Sequence, residues 1–156
     1  MAQSLSRVYI HLTFSTKKRQ PLITNEIKQE MHAYLAGALR ALGSQALMIN
    51  SVDDHVHILY RQSKNNTVAK IVEEIKKGSS HWMKIKLNNP SFRWQIGYGA
   101  FSVSYHQVDV VQKYIARQEY HHKKVDYTEE IEVLMKKYRV DEYDPKYYWD
   151  DGDEDE

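Results

Sequence analysis

Alternation of apolar and polar side chains near the N-terminus is the feature that most constrains the fold of this chain. Within residues 4–16, the apolar side chains of Val8, Ile10, Leu12 and Phe14 alternate with those of Tyr9, His11, Thr13 and Ser15. Successive side chains of a strand point to opposite faces, so the pattern predicts a strand with one buried face. Residues 45–52, 55–61 and 94–104 are predicted to form three further strands.

Segments with apolar residues at helical spacing lie between these strands. The first helix is predicted to run from a cap at Thr24 or Asn25 to Gly43, and the second to begin after a cap at Thr67. The order β-α-β-β-α-β predicts an α+β protein with a ferredoxin-like antiparallel sheet, in which the first and third strands pair at the centre. Two appended C-terminal helices are predicted at roughly 107–122 and 127–138.

The alternation also assigns residues to the two faces of the sheet. Val56, Ile58 and Tyr60 join the apolar side chains of the first strand as the core face, which two helices cover. The side chains predicted on the opposite face are Tyr9, His11, Thr13, His55, His57, Leu59 and Tyr98. Such a face is expected to be covered by the helix that follows the fourth strand.

Charge is divided unevenly along the chain. Residues 141–156 hold nine acidic side chains and one basic one, a net charge of −8. Because the whole chain has a formal net charge of +1, residues 1–140 carry +9. The sequence therefore predicts a basic body (1–140) and an acidic, aromatic-led tail (141–156) whose DDGDEDE end is disordered or loosely held. A basic body is compatible with a nucleic-acid partner. We hypothesise that the acidic tail competes with such a partner for the basic surface of the body.

Two absences narrow the class of protein. The chain has no cysteine, which excludes a disulfide scaffold, a zinc finger and thiol catalysis. It has no long uninterrupted apolar run, and its N-terminus lacks the form of a signal peptide. A cytoplasmic protein with no membrane partner is expected.

His55-Val56-His57 places two imidazoles side by side on one face of a strand. This spacing suits two adjacent ligands of one metal ion. The alternative is a pair of hydrogen-bonded histidines beside a turn, held by Asp53 and Asp54.

Tyr114 and Gln118 are separated by one helical turn and are expected to face the same point. Gln118 could supply a neutral oxygen ligand and Tyr114 a nucleophilic oxygen, although a solvent-facing polar pair is the alternative. Neutral ligands leave a divalent metal with its full charge, which suits a phosphodiester substrate. Tyrosine has an ordinary pKa of about 10, so as a nucleophile it requires help from a metal or a base.

Together these motifs resemble the HUH single-tyrosine class of small bacterial insertion-sequence transposases, the TnpA type that moves single-stranded DNA. HUH stands for His-hydrophobe-His, here His55-Val56-His57 within DDHVHIL. The resemblance extends from Val8 to Trp149 and is also carried by the stretches HLTFSTKKRQPL, WQIGYGAFSVS, VQKYIARQEYHHKK and DPKYYW.

The resemblance implies a magnesium or manganese ion held by His55, His57 and Gln118, with Tyr114 as the nucleophile that attacks a scissile phosphate. It implies a 5′-phosphotyrosine intermediate and a free 3′-OH that later rejoins the strand. It further implies a homodimer whose tyrosine helix can complete the partner's site, and substrates that are single-stranded ends with short hairpins. The acidic tail is not part of this family pattern.

Several basic side chains are candidates for contacts with DNA, and for each the alternative is a solvated or structural role. These candidates are His11, Lys17, Lys18, Arg19, Lys76 and Lys77. His11 could instead orient a ligand or make a structural hydrogen bond. His121 and His122 are assigned to the end of the tyrosine helix or to DNA, and not to the metal.

Two other functions remain open at this stage. One is a domesticated hairpin-DNA-binding protein without mobility. The other is a metal-dependent phosphodiesterase that uses water, in which Tyr114 is structural.

Overall fold

Four strands form one antiparallel sheet in the computed structural model, which describes residues 2–152. The strands are β1 (Tyr9–Ser15), β2 (Gln45–Ser51), β3 (His55–Arg61) and β4 (Gly99–Val103). Their order is β2-β3-β1-β4, and β1 pairs antiparallel with both β3 and β4. The predicted ferredoxin-like arrangement, with the first and third strands at the centre, is confirmed.

The helices begin and end close to the predicted signals. Within residues 2–152 they are α1 (Asn25–Ala41), α2 (Val68–Lys86), α3 (Val108–Ala116), α4 (Gln118–His121), α5 (Tyr127–Lys137) and α6 (Pro145–Tyr148). The Thr67 side chain caps α2 by accepting a hydrogen bond from the backbone N–H of Lys70. Gly43 follows the end of α1 with φ 78°, a conformation that glycine adopts without strain.

Helices α1 and α2 cover one face of the sheet and form the main core with it. Leu12, Phe14 and Ile58 are fully buried there, as the alternation predicts. Two assignments were wrong. Val8 precedes β1 and remains 43% exposed, and Tyr98 packs against this core rather than on the opposite face.

The opposite face is covered by two helices rather than by one. Leu59 of β3 packs with Val111 and Ile115 of α3. Phe101 of β4 packs with α5, and its ring stacks on that of Tyr138 with centroids 4.7 Å apart. The second helix buries the half of the face that α3 does not reach.

The predicted fourth strand is shorter than expected. It begins at Gly99 rather than at Trp94, which forms only an isolated bridge with Thr16. Beside this bridge the backbone N–H of Gln95 still donates to the carbonyl oxygen of Ser15, and Lys76 donates to the carbonyl oxygens of residues 95–97.

The predicted helix over residues 107–122 is interrupted. Helix α3 ends at Ala116, and Arg117, with φ −102° and ψ 21°, separates it from α4. The break turns Gln118 inward, where its side chain is fully buried. Tyr114 and Gln118 therefore do not lie on one continuous helix.

Residues 141–152 of the tail pack against the body. The Trp149 ring lies 5.7 Å from the ring of Tyr127, and Asp151 accepts hydrogen bonds from the backbone N–H groups of Lys18 and Ile96, at 2.9 and 3.0 Å. The prediction of a loosely held end was wrong at Asp151, because these two hydrogen bonds fix its carboxylate against the body. The rest of that prediction, at residues 153–156, lies outside the described residues.

None of the helices in the described part of the chain combines the length and apolarity that crossing a lipid bilayer would require.

Candidate active site

His55 and His57 lie on the same face of β3, and both are fully buried. Nδ1 of His55 is 2.7 Å from Oδ1 of Asp54, and Nδ1 of His57 is 2.8 Å from Nε2 of His11. These neighbours hold one nitrogen of each ring. The Nε2 atoms of both rings are thereby directed toward the same buried point.

The carboxylate of Glu130, on α5, occupies that point. Its Oε1 lies 3.0 Å from Nε2 of His57, 3.4 Å from Nε2 of His55 and 2.9 Å from Nε2 of His122. One donor atom from each of these four residues lies within 4.8 Å of the other three. Imidazole nitrogens with a carboxylate oxygen form a donor set that suits a divalent transition metal, so the residues fit the metal that the sequence implies.

Tyr114, on α3, reaches the same cluster. Its hydroxyl donates a hydrogen bond to Oε2 of Glu130. Burial raises the pKa of Tyr114 well above its ordinary value, and the negative charge of Glu130 raises it further. In this arrangement the phenol is protonated and its proton points at the carboxylate.

Gln118 joins the cluster from the first residue of α4. Its Oε1 is 3.4 Å from Nε2 of His55, and its Nε2 is 3.3 Å from Oε2 of Glu130. The structure thus brings together all four residues for which the sequence predicted chemistry: His55, His57, Tyr114 and Gln118. It does so although α3 ends between the last two.

Charge in the cluster is centred on Glu130. Burial alone would raise the pKa of this carboxyl group, but the surrounding histidines outweigh burial and hold the pKa well below its ordinary value. Burial lowers the pKa of His57. For His55, hydrogen bonds with Asp54 and Glu130 outweigh burial and raise the pKa. The cluster is an ionised carboxylate among imidazoles.

Sequence reasoning missed Glu130 and excluded His122. A signal for Glu130 was present, because Tyr127, Glu130, Ile131 and Leu134 follow the i, i+3, i+4, i+7 spacing of one helix face and all are buried. A carboxylate on an otherwise apolar stripe requires a partner. His122 had no comparable signal, because its position depends on the turn of chain that ends α4.

The candidate DNA contacts have different environments. His11 is only 1% exposed and lies within hydrogen-bond distance of His57, which favours the orienting or structural alternative over a contact with DNA. The ammonium group of Lys76 donates to three backbone carbonyl groups, which favours a structural role over a contact with DNA. Lys77 is exposed, and the exposed Arg19 lies with its guanidinium 4.7 Å from the Trp149 ring centre. The basic loop at Lys17 and Lys18 lies at the end of β1, as predicted.

Residues 4–118 match the family model described as IS200-like transposase. A candidate transposase from Deinococcus radiodurans R1 has the same fold, with 20% identity and a TM-score of 0.61, over 76% of this chain and 98% of that one. A REP-associated tyrosine transposase bound to a REP hairpin matches with 17% identity and a TM-score of 0.58, over 80% of this chain and 76% of that one. No curated protein sequence matches significantly.

Proposed function

Because the chain belongs to the IS200-like transposase family, we propose that it cleaves and rejoins single-stranded, hairpin-ended DNA through a covalent bond to Tyr114. The observation that carries the proposal is the position of the Tyr114 hydroxyl, which is hydrogen-bonded into a buried His-Glu cluster. The REP hairpin bound by the structural neighbour supports a hairpin substrate.

The proposed metal site contains His55 and His57, with Glu130, His122 and Gln118 as the further donors within reach. When bound, a divalent cation supplies positive charge that polarises the phosphoryl oxygens of the substrate. Magnesium and manganese are the proposed metals, and imidazole donors favour manganese. Asp54 and His11 hold the ligand rings by their other nitrogens, which fixes the rings before a metal arrives.

In the proposed reaction, Oη of Tyr114 attacks the scissile phosphorus and the bond from phosphorus to the 3′ oxygen breaks. The phenol proton leaves toward Oε2 of Glu130, which already accepts its hydrogen bond, and the departing 3′ oxygen takes up a proton from solvent water. Rejoining reverses these steps: a 3′-OH attacks the phosphotyrosine and releases Tyr114. The linkage conserves the energy of the broken bond, so no nucleotide cofactor is required.

Tyr114 contacts the cluster of its own chain, which supports a site that is assembled in cis. The homodimer implied by the sequence resemblance stays a prediction. Sedimentation of the purified protein with and without hairpin DNA tests it, and a monomer under both conditions would contradict it.

The mechanism is tested by incubating the protein with a labelled single-stranded hairpin oligonucleotide and manganese, followed by denaturing electrophoresis. A covalent protein–DNA adduct is expected for the wild type and for Tyr147→Phe, an exposed tyrosine on α6, but not for Tyr114→Phe. An adduct formed by Tyr114→Phe would contradict the mechanism.

The same experiment separates the two other functions. Hairpin binding without cleavage under any divalent metal would indicate a DNA-binding protein. Cleavage that leaves no adduct and survives Tyr114→Phe would indicate a phosphodiesterase that uses water.

A further inference from the structure

Two openings border the buried cluster. One is a cleft of about 590 Å³ whose lining includes His122 and Tyr127, and we call it the acidic cleft. The other is a groove of about 370 Å³ whose lining includes Tyr114 and His121, and we call it the basic groove. A strand of DNA could in principle reach the cluster through either, so their charges decide between them.

The acidic cleft carries an excess of carboxylates. Its charged lining residues are Lys28, Asp53, Asp54, Glu119, Lys123 and Asp126. One of the two cations, Lys28, is already paired with Glu119. A phosphodiester strand is repelled here, whereas a metal cation is attracted.

The basic groove has the opposite character. Lys113, Arg117 and Lys124 line it, and no carboxylate does so among residues 2–152. All three cations are exposed at the surface. Lys113 lies on α3, Arg117 lies between α3 and α4, and Lys124 lies just beyond α4, so all three line the opening in which Tyr114 lies.

An aromatic surface completes the basic groove. Tyr120 lines the groove beside these cations and is 61% exposed, so its ring is open to a stacking partner. Lys124 flanks its ring, with Nζ 4.9 Å from the ring centre and 3.0 Å from the hydroxyl oxygen. Exposed aromatic rings beside cations are the elements with which proteins bind single strands, since unpaired bases stack on such rings.

We propose that the single-stranded DNA next to the scissile phosphate lies in the basic groove, with its phosphates on Lys113 and Arg117 and one base stacked on Tyr120. The inference rests on the proposed function and specifies how its substrate is held. Duplex DNA is not expected in the groove, because paired and stacked bases cannot expose a face to Tyr120.

A third groove, between α2 and residues 93–98, is also basic and supplies the matched control. Lys77, Lys84 and Arg93 line it together with one carboxylate, Glu73. Because α2 covers the face of the sheet opposite α3, this groove lies away from Tyr114. Removing two cations here changes the net charge of the protein by the same amount without touching the basic groove.

The test is equilibrium binding of a labelled linear single-stranded oligonucleotide, measured by fluorescence anisotropy without divalent metal between 50 and 200 mM salt. Lys113→Gln with Arg117→Gln is expected to weaken binding about 10-fold at low salt and to reduce the salt slope by about 1.4, as two lost phosphate contacts would. Lys84→Gln with Arg93→Gln is expected to leave the slope unchanged. Equal effects of the two pairs, or no effect of the first, would overturn the inference.

The aromatic contact is tested separately at Tyr120. Tyr120→Ala is expected to weaken binding about 10-fold, the usual effect of removing one base-stacking ring, whereas Tyr120→Phe keeps the ring and is expected to restore the affinity. Equal affinity of Tyr120→Ala and the wild type would overturn the stacking contact.

Failure of the inference is distinguishable from failure of the proposed function. If the wild type forms no adduct with Tyr114 but the groove variants still weaken binding, the covalent mechanism is wrong and the groove assignment stands. If adducts form while the groove variants bind normally, the mechanism stands and the strand follows another path.

Discussion

Glu130 is the residue on which the candidate site depends most. Its carboxylate is 2% exposed, and burying an ionised carboxylate without partners is strongly destabilising. Here Oε1 and Oε2 share hydrogen bonds with His57, His122 and Tyr114. Glu130 thus contacts both the proposed nucleophile and two of the proposed metal ligands.

Replacement of Glu130 is expected to weaken metal binding. Glu130→Gln removes the anionic donor while keeping the shape of the side chain, and we expect an at least 10-fold loss of manganese affinity, by analogy with losses at metal-supporting residues. Isothermal titration calorimetry on the metal-free protein measures the affinity directly. Glu129→Gln, at an exposed neighbouring position, is the control. Equal affinities of the two variants would contradict the assignment.

His11 is expected to act through His57. Its Nε2 lies 2.8 Å from Nδ1 of His57, so it would fix the orientation of this proposed ligand ring without touching a bound metal. Loss of such a partner typically lowers metal affinity by about 10- to 100-fold. We expect His11→Gln to lie in this range by calorimetry, and the exposed His81→Gln to bind manganese as the wild type does. An unchanged affinity for His11→Gln would return His11 to a structural role.

The sequence predicts which side chains of the candidate site lie together only where their spacing within one strand or helix brings them together. His55 and His57 are neighbours on one strand face, so their convergence follows from the alternation. Glu130 meets His57 from 73 positions away in the chain. That approach is set by how α5 packs on Phe101 and the sheet, which no local pattern specifies.

At the scale of elements, the first residues of helices could be predicted from local sequence signals. The first residue of a strand whose contacts are distant in sequence could not. Helix α2 begins after Thr67, whose side chain caps it, and α1 begins after Thr24 as expected, although Thr24 makes no side-chain cap hydrogen bond. The start of β4 differs from the prediction, and the carbonyl groups just before it bind Lys76 on α2. A cation that satisfies carbonyl groups of another element cannot be recognised from helical periodicity.

Lys76 is therefore expected to stabilise the fold rather than to bind DNA. Lys76→Met removes the donor of three hydrogen bonds, and we expect the free energy of unfolding to fall by about 2 kcal/mol. Lys77→Met, at the exposed adjacent position, is expected to change stability by less than about 0.5 kcal/mol. Urea denaturation followed by circular dichroism measures both. Equal stability of the two variants would contradict the role.

The contact between α1 and β2 is expected to make stability depend on pH. His32, on α1, lies 2.8 Å from Oγ of Ser51, and burial, followed by the charge of Lys28, lowers its pKa from 6.5 to about 4, with Glu119 opposing. Between these pH values the unfolded chain binds more protons at this residue than the folded chain does. The free energy of unfolding is therefore expected to decrease as pH falls from 6.5 to about 4.

Replacement of His32 is expected to remove this dependence. Between pH 6.5 and 4, the free energy of unfolding should decrease less for His32→Gln than for the wild type. The difference between the two decreases should be on the order of 1 kcal/mol. Thermal unfolding across this range measures the difference. Parallel pH profiles for the two proteins would exclude His32 as the source.

At the scale of the whole molecule, the acidic tail and the basic body are less separate than their charges indicate. Trp149 packs under Arg19, and Asp151 binds the backbone at Lys18 and Ile96. Truncation after Val140 would remove these packed groups along with the charges. Affinity changes after such a truncation would therefore mix altered folding with altered electrostatics.

Neutralising only the last four residues separates the two effects. Replacing Asp153, Glu154, Asp155 and Glu156 by the corresponding amides raises the formal net charge from +1 to +5 and leaves residues 141–152 intact. If the tail competes with DNA for the basic body, hairpin affinity should rise by about 2- to 10-fold at 50 mM salt, and the difference should vanish near 0.5 M salt, where charges are screened within a few ångströms. Anisotropy titrations at both salt concentrations measure this. Affinities that coincide at low salt would show that the terminal carboxylates do not compete with DNA.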